Sequence, residues 1–133
     1  MSGGNVEIVK RGFDAFNRDG VDALLEFVDP DFEVTTPPEL ASEPDTYRGH
    51  EGVRRYFDSF YEAMEEVRWE PRGFHEAGDR VVVEFTLLAR GKSTGLEVGQ
   101  DAVMVWELRD RRAIGLELFT TLDEALRATR GTR

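Results

Sequence analysis

Two histidines are the side chains of this sequence best suited to proton transfer near neutral pH. In a strand predicted at 67–76, alternation places His75 on the same face as Val67 and Trp69. On that face, His75 is a candidate general acid or base. A hydrogen-bonded histidine near a turn is the simpler interpretation, and we favour it. His50 begins a predicted helix, where turn geometry explains it as a structural or surface residue.

Several other kinds of chemistry lack the residues they need. The chain has no cysteine, which excludes disulfides, thiol catalysis and cysteine-ligated metals. No His-x-x-x-His pair stands on a predicted helix, and no comparable group of His, Asp and Glu is present. We therefore predict no metal site and no cofactor.

The bulk composition narrows the class of protein. The chain has 27 acidic and 17 basic residues, a formal charge of −10, which argues against nucleic acid or an anionic membrane as partner. The sequence shows neither an apolar run of about 18 residues nor a signal-peptide pattern, so we expect a soluble, cytoplasmic protein. A length of 133 residues predicts one domain over 1–133, frayed at 1–4 and 130–133.

Two long strand-like runs, Arg80–Arg90 and Leu96–Arg109, organise the chain, and both are rich in β-branched and aromatic residues. Alternation predicts three further strands, at Phe32–Thr36, Val67–Glu76 and Ala113–Thr121. Helical spacing predicts helices from Asn5 to Asp19, over Val21–Val28, from Tyr47 to about Glu65, and over Leu122–Thr129.

The order of these elements predicts the architecture. Three N-terminal helices that cover a curved, antiparallel-rich mixed sheet form an α+β cone. Such a cone leaves a cavity between helices and sheet, and concave apolar cavities are where small ligands bind.

Seven short segments stand in a characteristic order and spacing: Val9–Asn17, Asp22–Leu25, Asp29–Asp31, Tyr47–Val53, Ala77–Val83, Val105–Asp110 and Asp123–Leu126. Together they resemble the SnoaL-like branch of the nuclear transport factor 2-like superfamily, which is related to ketosteroid isomerases and polyketide cyclases. The resemblance covers nearly the whole chain and implies the same α+β cone. It does not imply one activity, because the superfamily hosts isomerases, cyclases, hydrolases and non-catalytic binding domains.

The family's catalytic positions are occupied differently here. Ketosteroid isomerases have a tyrosine, a base aspartate and a protonated aspartic acid where this chain has approximately Gly12, Thr36 and Met104. SnoaL-like cyclases have an acid in the last strand, where this chain has Leu118. An alignment shifted by one residue would place Glu117 there instead. The resemblance therefore argues against steroid-type isomerisation.

The two-residue period of the strands then predicts which side chains face the cavity. The predicted lining is apolar and aromatic with few polar groups: Phe13, Phe16, Thr36, Phe57, Tyr61, Phe85, Gln100, Met104, Trp106, Leu118 and Thr120. The same residues also fit a filled hydrophobic core, and this alternative stays open.

The opposite strand face is predicted to be apolar with acidic residues at its rim: Val82, Val103, Val105 and Phe119, with Glu84, Asp101 and Glu117. So much apolar surface indicates an interface, and we predict a homodimer that packs sheet against sheet. The family resemblance also implies homodimers.

Two functional hypotheses follow. The first is a binding domain that holds a small, cyclic, hydrophobic molecule in the cavity. The second is an isomerase, cyclase or hydrolase that transfers a proton inside the cavity, with His75 or Glu117 as the only candidate groups. The missing family acids favour the first hypothesis. A pure interaction module would need a further exposed patch.

Overall fold

A six-stranded sheet forms the centre of the fold. The computed structural model describes residues 4–35 and 46–131. Their helices are α1 (Gly4–Asp19), α2 (Val21–Leu24) with a following 3-10 turn (Leu25–Phe27), α3 (Gly49–Tyr61) and α4 (Leu122–Gly131). Their strands are β1 (Val28–Thr35), β2 (Thr46–Arg48), β3 (Met64–Ala77), β4 (Arg80–Gly91), β5 (Glu97–Arg109) and β6 (Arg112–Phe119).

The strand order in the sheet is β2-β1-β6-β5-β4-β3. Only the β1–β6 pair in this sheet is parallel; the other four pairs are antiparallel. Helices α1, α2 and α3 pack against the face of the sheet that carries Phe85, Met104 and Trp106, which we call the inner face. The predicted α+β class, with three N-terminal helices over an antiparallel-rich mixed sheet, is confirmed.

The main core lies between these helices and the inner face. Phe13, Phe57, Phe85 and Trp106, which the sequence places together, belong to one buried cluster. Trp69 joins it from β3 and stacks on Phe16, with ring centroids 4.0 Å apart. The helical spacing of α1 and α3 explains this arrangement, because it puts their aromatic residues on the side that faces the sheet.

Three helix boundaries were predicted too generously. The end of α3, expected near Glu65, lies at Tyr61. The other two are the start of α3 and the end of α2. Tyr47 lies in β2, where it pairs with Val34, and α3 begins only at Gly49. Val28 starts β1, where it pairs with Ala113 of β6 in parallel, and does not end α2. In both cases sheet pairing between distant segments takes residues that local spacing alone assigns to a helix.

A β-bulge in β3 changes which residues face inward. The register of the β3–β4 pair shifts between Pro71 and Gly73. Because one extra residue reverses the alternation beyond the bulge, Phe74 faces the core, and its ring centroid lies 6.1 Å from that of Phe13. His75 is exposed, so its predicted place on the face of Trp69 is wrong.

Helix α4 covers part of the opposite, outer face of the sheet. Val82, Val103 and Val105 of this face are buried against Ala125, which is itself 0% exposed. Phe119, Leu122 and Leu126 complete this group, which we call the outer cluster. The sequence-based reason for a homodimer assumed that this apolar face was free, and that assumption is wrong. The dimer itself stays a prediction.

Candidate functional site

An apolar cavity lies between the helices and the inner face of the sheet. It has a volume of about 50 Å³ and we call it the central cavity. From α2, β1 and α3 it is lined by Leu24, Val28, Phe32, Val34, Val53, Tyr56 and Phe57. From β3 to β6 it is lined by Val67, Trp69, Phe85, Leu87, Gln100, Ala102, Met104, Trp106, Leu116 and Leu118.

The central cavity has an exposed end and a buried end. Gln100 is exposed and Leu87, opposite it on β4, is half-buried, whereas Met104 and Trp106 are almost fully buried. Gln100 and Trp106 are six positions apart on β5, roughly 20 Å along an extended strand. Trp106 therefore lies at the buried end of the central cavity and Gln100 at its exposed end.

Only three lining side chains carry a polar atom: Tyr56, Gln100 and Trp106. Burial raises the pKa of Tyr56 to about 12, and the nearby Tyr47 adds to the rise. The hydroxyl of Tyr56 therefore stays protonated near neutral pH and is a poor base. Among the described lining residues the central cavity has no carboxylate and no imidazole, so these walls offer no charged group to balance a buried charge.

The raised pKa of Tyr56 predicts a loss of stability at high pH. Below pH 10 the phenol is protonated in both the folded and the unfolded chain. Above pH 10 the unfolded chain loses this proton first, so the free energy of unfolding falls as the pH approaches 12. In urea unfolding, the stability of the native chain relative to Tyr56→Phe should be constant from about pH 7 to 9 and lower by about 1 kcal/mol at pH 11. A difference that stays constant up to pH 11 would contradict the burial of this hydroxyl.

Six of the residues predicted for the cavity line it: Phe57, Phe85, Gln100, Met104, Trp106 and Leu118. Phe16 lies behind the wall, where it stacks on Trp69. Phe13 lines a separate space of about 10 Å³, the small cavity, together with Gly12 and Trp106. Gly12, which the family resemblance aligns approximately with the isomerase tyrosine, lines this small cavity, and a side chain there would contact Leu24.

Two further predicted lining residues, Tyr61 and Thr120, do not line the central cavity. Tyr61 is half-buried, with its ring stacked on Phe57 at a centroid distance of 6.0 Å. Thr120 follows β6, is exposed, and donates a hydrogen bond to the Glu124 carboxylate at 2.8 Å. It belongs to the start of α4 and not to the cavity. Thr36 lies outside the described residues.

The two candidate proton-transfer residues lie away from the central cavity. The imidazole of His75 is 2.9 Å from the Glu84 carboxylate in an exposed pair. Glu117 is exposed on the outer face, where it lines a surface cleft of about 200 Å³ with Arg80 and Glu107. Leu118 pairs with Met104 of the inner face, so its neighbour Glu117 points outward. His50 is structural: its Nε2 lies 2.8 Å from the Val28 carbonyl oxygen.

Sequence reasoning missed several lining residues. Trp69 was assigned to the correct face of β3 but only as a neighbour of His75. Phe32 and Val34 alternate in β1, and both are buried in the cavity wall. Tyr56 lies in the apolar stripe of α3. Alternation and helical spacing could have found all four, since each follows the period of its element.

The described residues meet neither the requirements of a metal site nor those of a membrane-spanning helix. In residues 4–35 and 46–131 no group of three or more His, Asp and Glu side chains is arranged to hold a metal ion. No helix of the described chain is long and apolar enough to cross a membrane.

Known structures repeat this fold. No curated protein sequence matches the chain. A nuclear transport factor 2-like protein of unknown function from Burkholderia pseudomallei K96243 is 27% identical, with a TM-score of 0.78 over 96% of this chain and 97% of that chain. TerC, co-crystallised with polyporic acid, is 25% identical, with a TM-score of 0.79 over 96% and 99%.

A more distant structure has the same fold. It is a protein with a ketosteroid isomerase-like fold from Catenulispora acidiphila DSM 44928, in complex with trimethylamine. It is 18% identical, with a TM-score of 0.74 over 93% of this chain and 92% of that chain. The model of the SnoaL-like domain family matches residues 9–115, from α1 into β6, and the chain therefore belongs to the SnoaL-like domain family.

Proposed function

We propose that the chain binds a small, uncharged, ring-containing molecule in the central cavity. The observation that carries this proposal is the lining of the cavity. It consists of aromatic and aliphatic side chains, of which three carry a polar group and none carries a charge. Flat aromatic walls favour ring-shaped ligands, because stacked and edge-on ring contacts add to the burial of apolar area. The likeness to TerC, which was co-crystallised with polyporic acid, supports a small-molecule ligand.

The volume of the central cavity limits what it encloses. A single water needs about 10–15 Å³ of such space, so 50 Å³ holds roughly three to five water-sized groups. The enclosed part of a ligand is therefore no larger than part of one ring. The rest of a larger ligand lies toward the exposed end beside Gln100, where the half-buried side chain of Leu87 would have to move aside.

The alternative, an enzyme that transfers protons in the cavity, has less support. Abstraction of a proton next to a carbonyl needs a base within hydrogen-bond reach of the substrate. Among the described lining residues, Tyr56 is the one titratable group, and its raised pKa makes it a poor base. His75 and Glu117 lie outside the cavity.

The binding proposal is tested with a panel of one-ring fragments and the variant Ala102→Leu. Ala102 is 4% exposed and lines the cavity opposite Phe85, so a leucine there fills the enclosed space. We expect uncharged ring fragments to bind the native chain with Kd on the order of 0.1–1 mM. In Ala102→Leu the affinity should fall at least about tenfold, while overpacking costs about 1–3 kcal/mol of stability.

The matched control is Ala63→Leu, which adds the same atoms at an exposed turn residue outside the cavity. Titration calorimetry or ligand-detected NMR measures the affinities. Equal affinities in Ala102→Leu and Ala63→Leu would place binding elsewhere on the surface.

The same panel, extended to cyclic ketones and epoxides, tests the enzyme alternative. Turnover that His75→Ala abolishes would overturn the binding proposal.

A further inference from the structure

The indole N–H of Trp106 is a buried hydrogen-bond donor without a partner. Trp106 is 4% exposed, and among the described residues its Nε1 has no acceptor. It is also the one buried side-chain nitrogen or oxygen in this part of the chain without a hydrogen bond. Because buried tryptophans usually find an acceptor, and an unmet donor costs free energy, this N–H needs an explanation.

The described side chains around the indole are aromatic and aliphatic, and they carry no oxygen that could accept its hydrogen bond. The rings nearest to it belong to Phe32, Phe13 and Trp69, with centroids 6.1, 6.5 and 6.4 Å away. The strands on either side pair with β5 in the sheet through Val81 and Leu116. The empty spaces that Trp106 borders are the central cavity and the small cavity of about 10 Å³.

We propose that Trp106 recognises an uncharged hydrogen-bond acceptor on the ligand, such as the oxygen of a ring ketone, quinone or aryl ketone. This inference rests on the proposed function and names the class of ligand for the same cavity. The indole N–H only donates, so it selects acceptors and rejects ligands that present an N–H donor there. A carboxylate is excluded, because the described lining has no cation to balance a buried charge.

The position of Trp106 sets the orientation of the ligand. It lies at the buried end of the cavity, six residues from the exposed Gln100 on the same strand. The acceptor of the ligand therefore points to the buried end, and the apolar remainder contacts lining side chains nearer Gln100, such as Phe85 and Leu87. A ligand of the same shape without the oxygen leaves the N–H unpaired and binds more weakly.

The test uses two ligands of nearly the same shape, acetophenone and α-methylstyrene, which differ by C=O against C=CH₂. The native chain should bind the ketone about tenfold more tightly, the equivalent of about 1.4 kcal/mol. In Trp106→Phe, which keeps a buried ring without the donor, this preference should disappear through weaker binding of the ketone. Ala63→Leu, at an exposed residue outside the cavity, should leave the preference intact.

Proton–nitrogen NMR of the indole groups reports on the donor directly. The chain has two tryptophans, so Trp106→Phe assigns the two indole resonances. We expect the Trp106 indole proton to move downfield with acetophenone and to change little with α-methylstyrene. If Trp106→Phe does not fold, Trp69→Phe assigns the two resonances by elimination, and the preference and the shift in the native chain still decide the matter.

Two negative outcomes are distinct. If both ligands bind in a manner that Ala102→Leu blocks, but with equal affinity and an unmoved Trp106 resonance, the inference is wrong and the proposed function stands. A buried water in the small cavity or a ring face would then be the partner of the N–H. If neither ligand binds, the proposed function fails, and the inference fails with it.

Discussion

Replacing Trp69 by alanine is expected to lower the free energy of unfolding by about 3–5 kcal/mol. Its indole is 4% exposed and stacks on Phe16, with planes 19° apart and centroids at 4.0 Å. Phe13 and Phe57 lie 5.1 and 5.7 Å away on the helix side. Alanine removes the ring that joins α1 and α3 to the sheet, and the rigid strands cannot close the space it leaves.

Urea unfolding followed by circular dichroism measures this loss. Trp69→Phe keeps a ring at the site and should cost clearly less than the alanine variant. Arg68→Ala, at the exposed neighbouring residue, should stay within about 0.5 kcal/mol of the native chain. A loss below about 1 kcal/mol for Trp69→Ala would show that this ring does not hold the helices to the sheet.

The same site shows a second way in which α1 is held to β3. The side-chain amide of Asn17 donates to the Trp69 carbonyl oxygen at 2.8 Å, and its oxygen accepts from the Trp69 backbone N–H at 2.9 Å. One amide thus satisfies both backbone groups of a residue on an edge strand. The helix and the ring of Trp69 are fixed together, which fixes one wall of the cavity.

Much of the fold could be predicted from local periodicity. The spacing of Val9, Phe13 and Phe16 determines the buried side of α1, and the alternation of Met104 and Trp106 determines the inner face of β5. The wall formed by the central strands follows from these patterns. Whether a helix residue lines the cavity or packs behind it depends on how the helix lies across the sheet. That is why Phe57 lines the cavity and Phe16 does not.

Other features depend on one local irregularity. The bulge at Pro71 and Gly73 exchanges Phe74 with His75 on the two faces of β3. Proline and glycine two residues apart in a strand are typical of a bulge on an edge strand, so the sequence does indicate an irregularity at this point. The candidate base was assigned to the cavity because strict alternation was assumed.

The sequence pattern of α4 does not predict which surface of the sheet this helix packs against. Thr121 accepts a hydrogen bond from the Glu124 backbone N–H at 3.2 Å, so its hydroxyl caps the start of the helix. Leu122, Ala125 and Leu126 form its apolar side. Periodicity shows that this side needs a partner but not which surface supplies it, because the contact with Val82 joins segments about forty residues apart.

Ala125→Arg is the second variant for which we expect a large effect. Ala125 is 0% exposed and belongs to the outer cluster with Val82, Val103 and Val105. An arginine cannot fit between α4 and the sheet, and burying its charge unpaired is costlier than detaching the helix. We expect α4 to leave the sheet, with a loss of about 3 kcal/mol or more in the free energy of unfolding.

Detachment of α4 exposes the apolar side of the outer cluster, and this gives the experiment a second readout. Binding of a hydrophobic dye should rise, and sedimentation should show self-association at micromolar concentration, because a large apolar patch seeks a partner. Ala63→Arg adds the same side chain at an exposed turn residue and should change neither. Val105→Arg should destabilise each chain as Ala125→Arg does, since Val105 is 7% exposed beneath α4. Native stability and unchanged dye binding in Ala125→Arg would show that α4 does not cover the outer face in solution, and would restore that face as the predicted dimer interface.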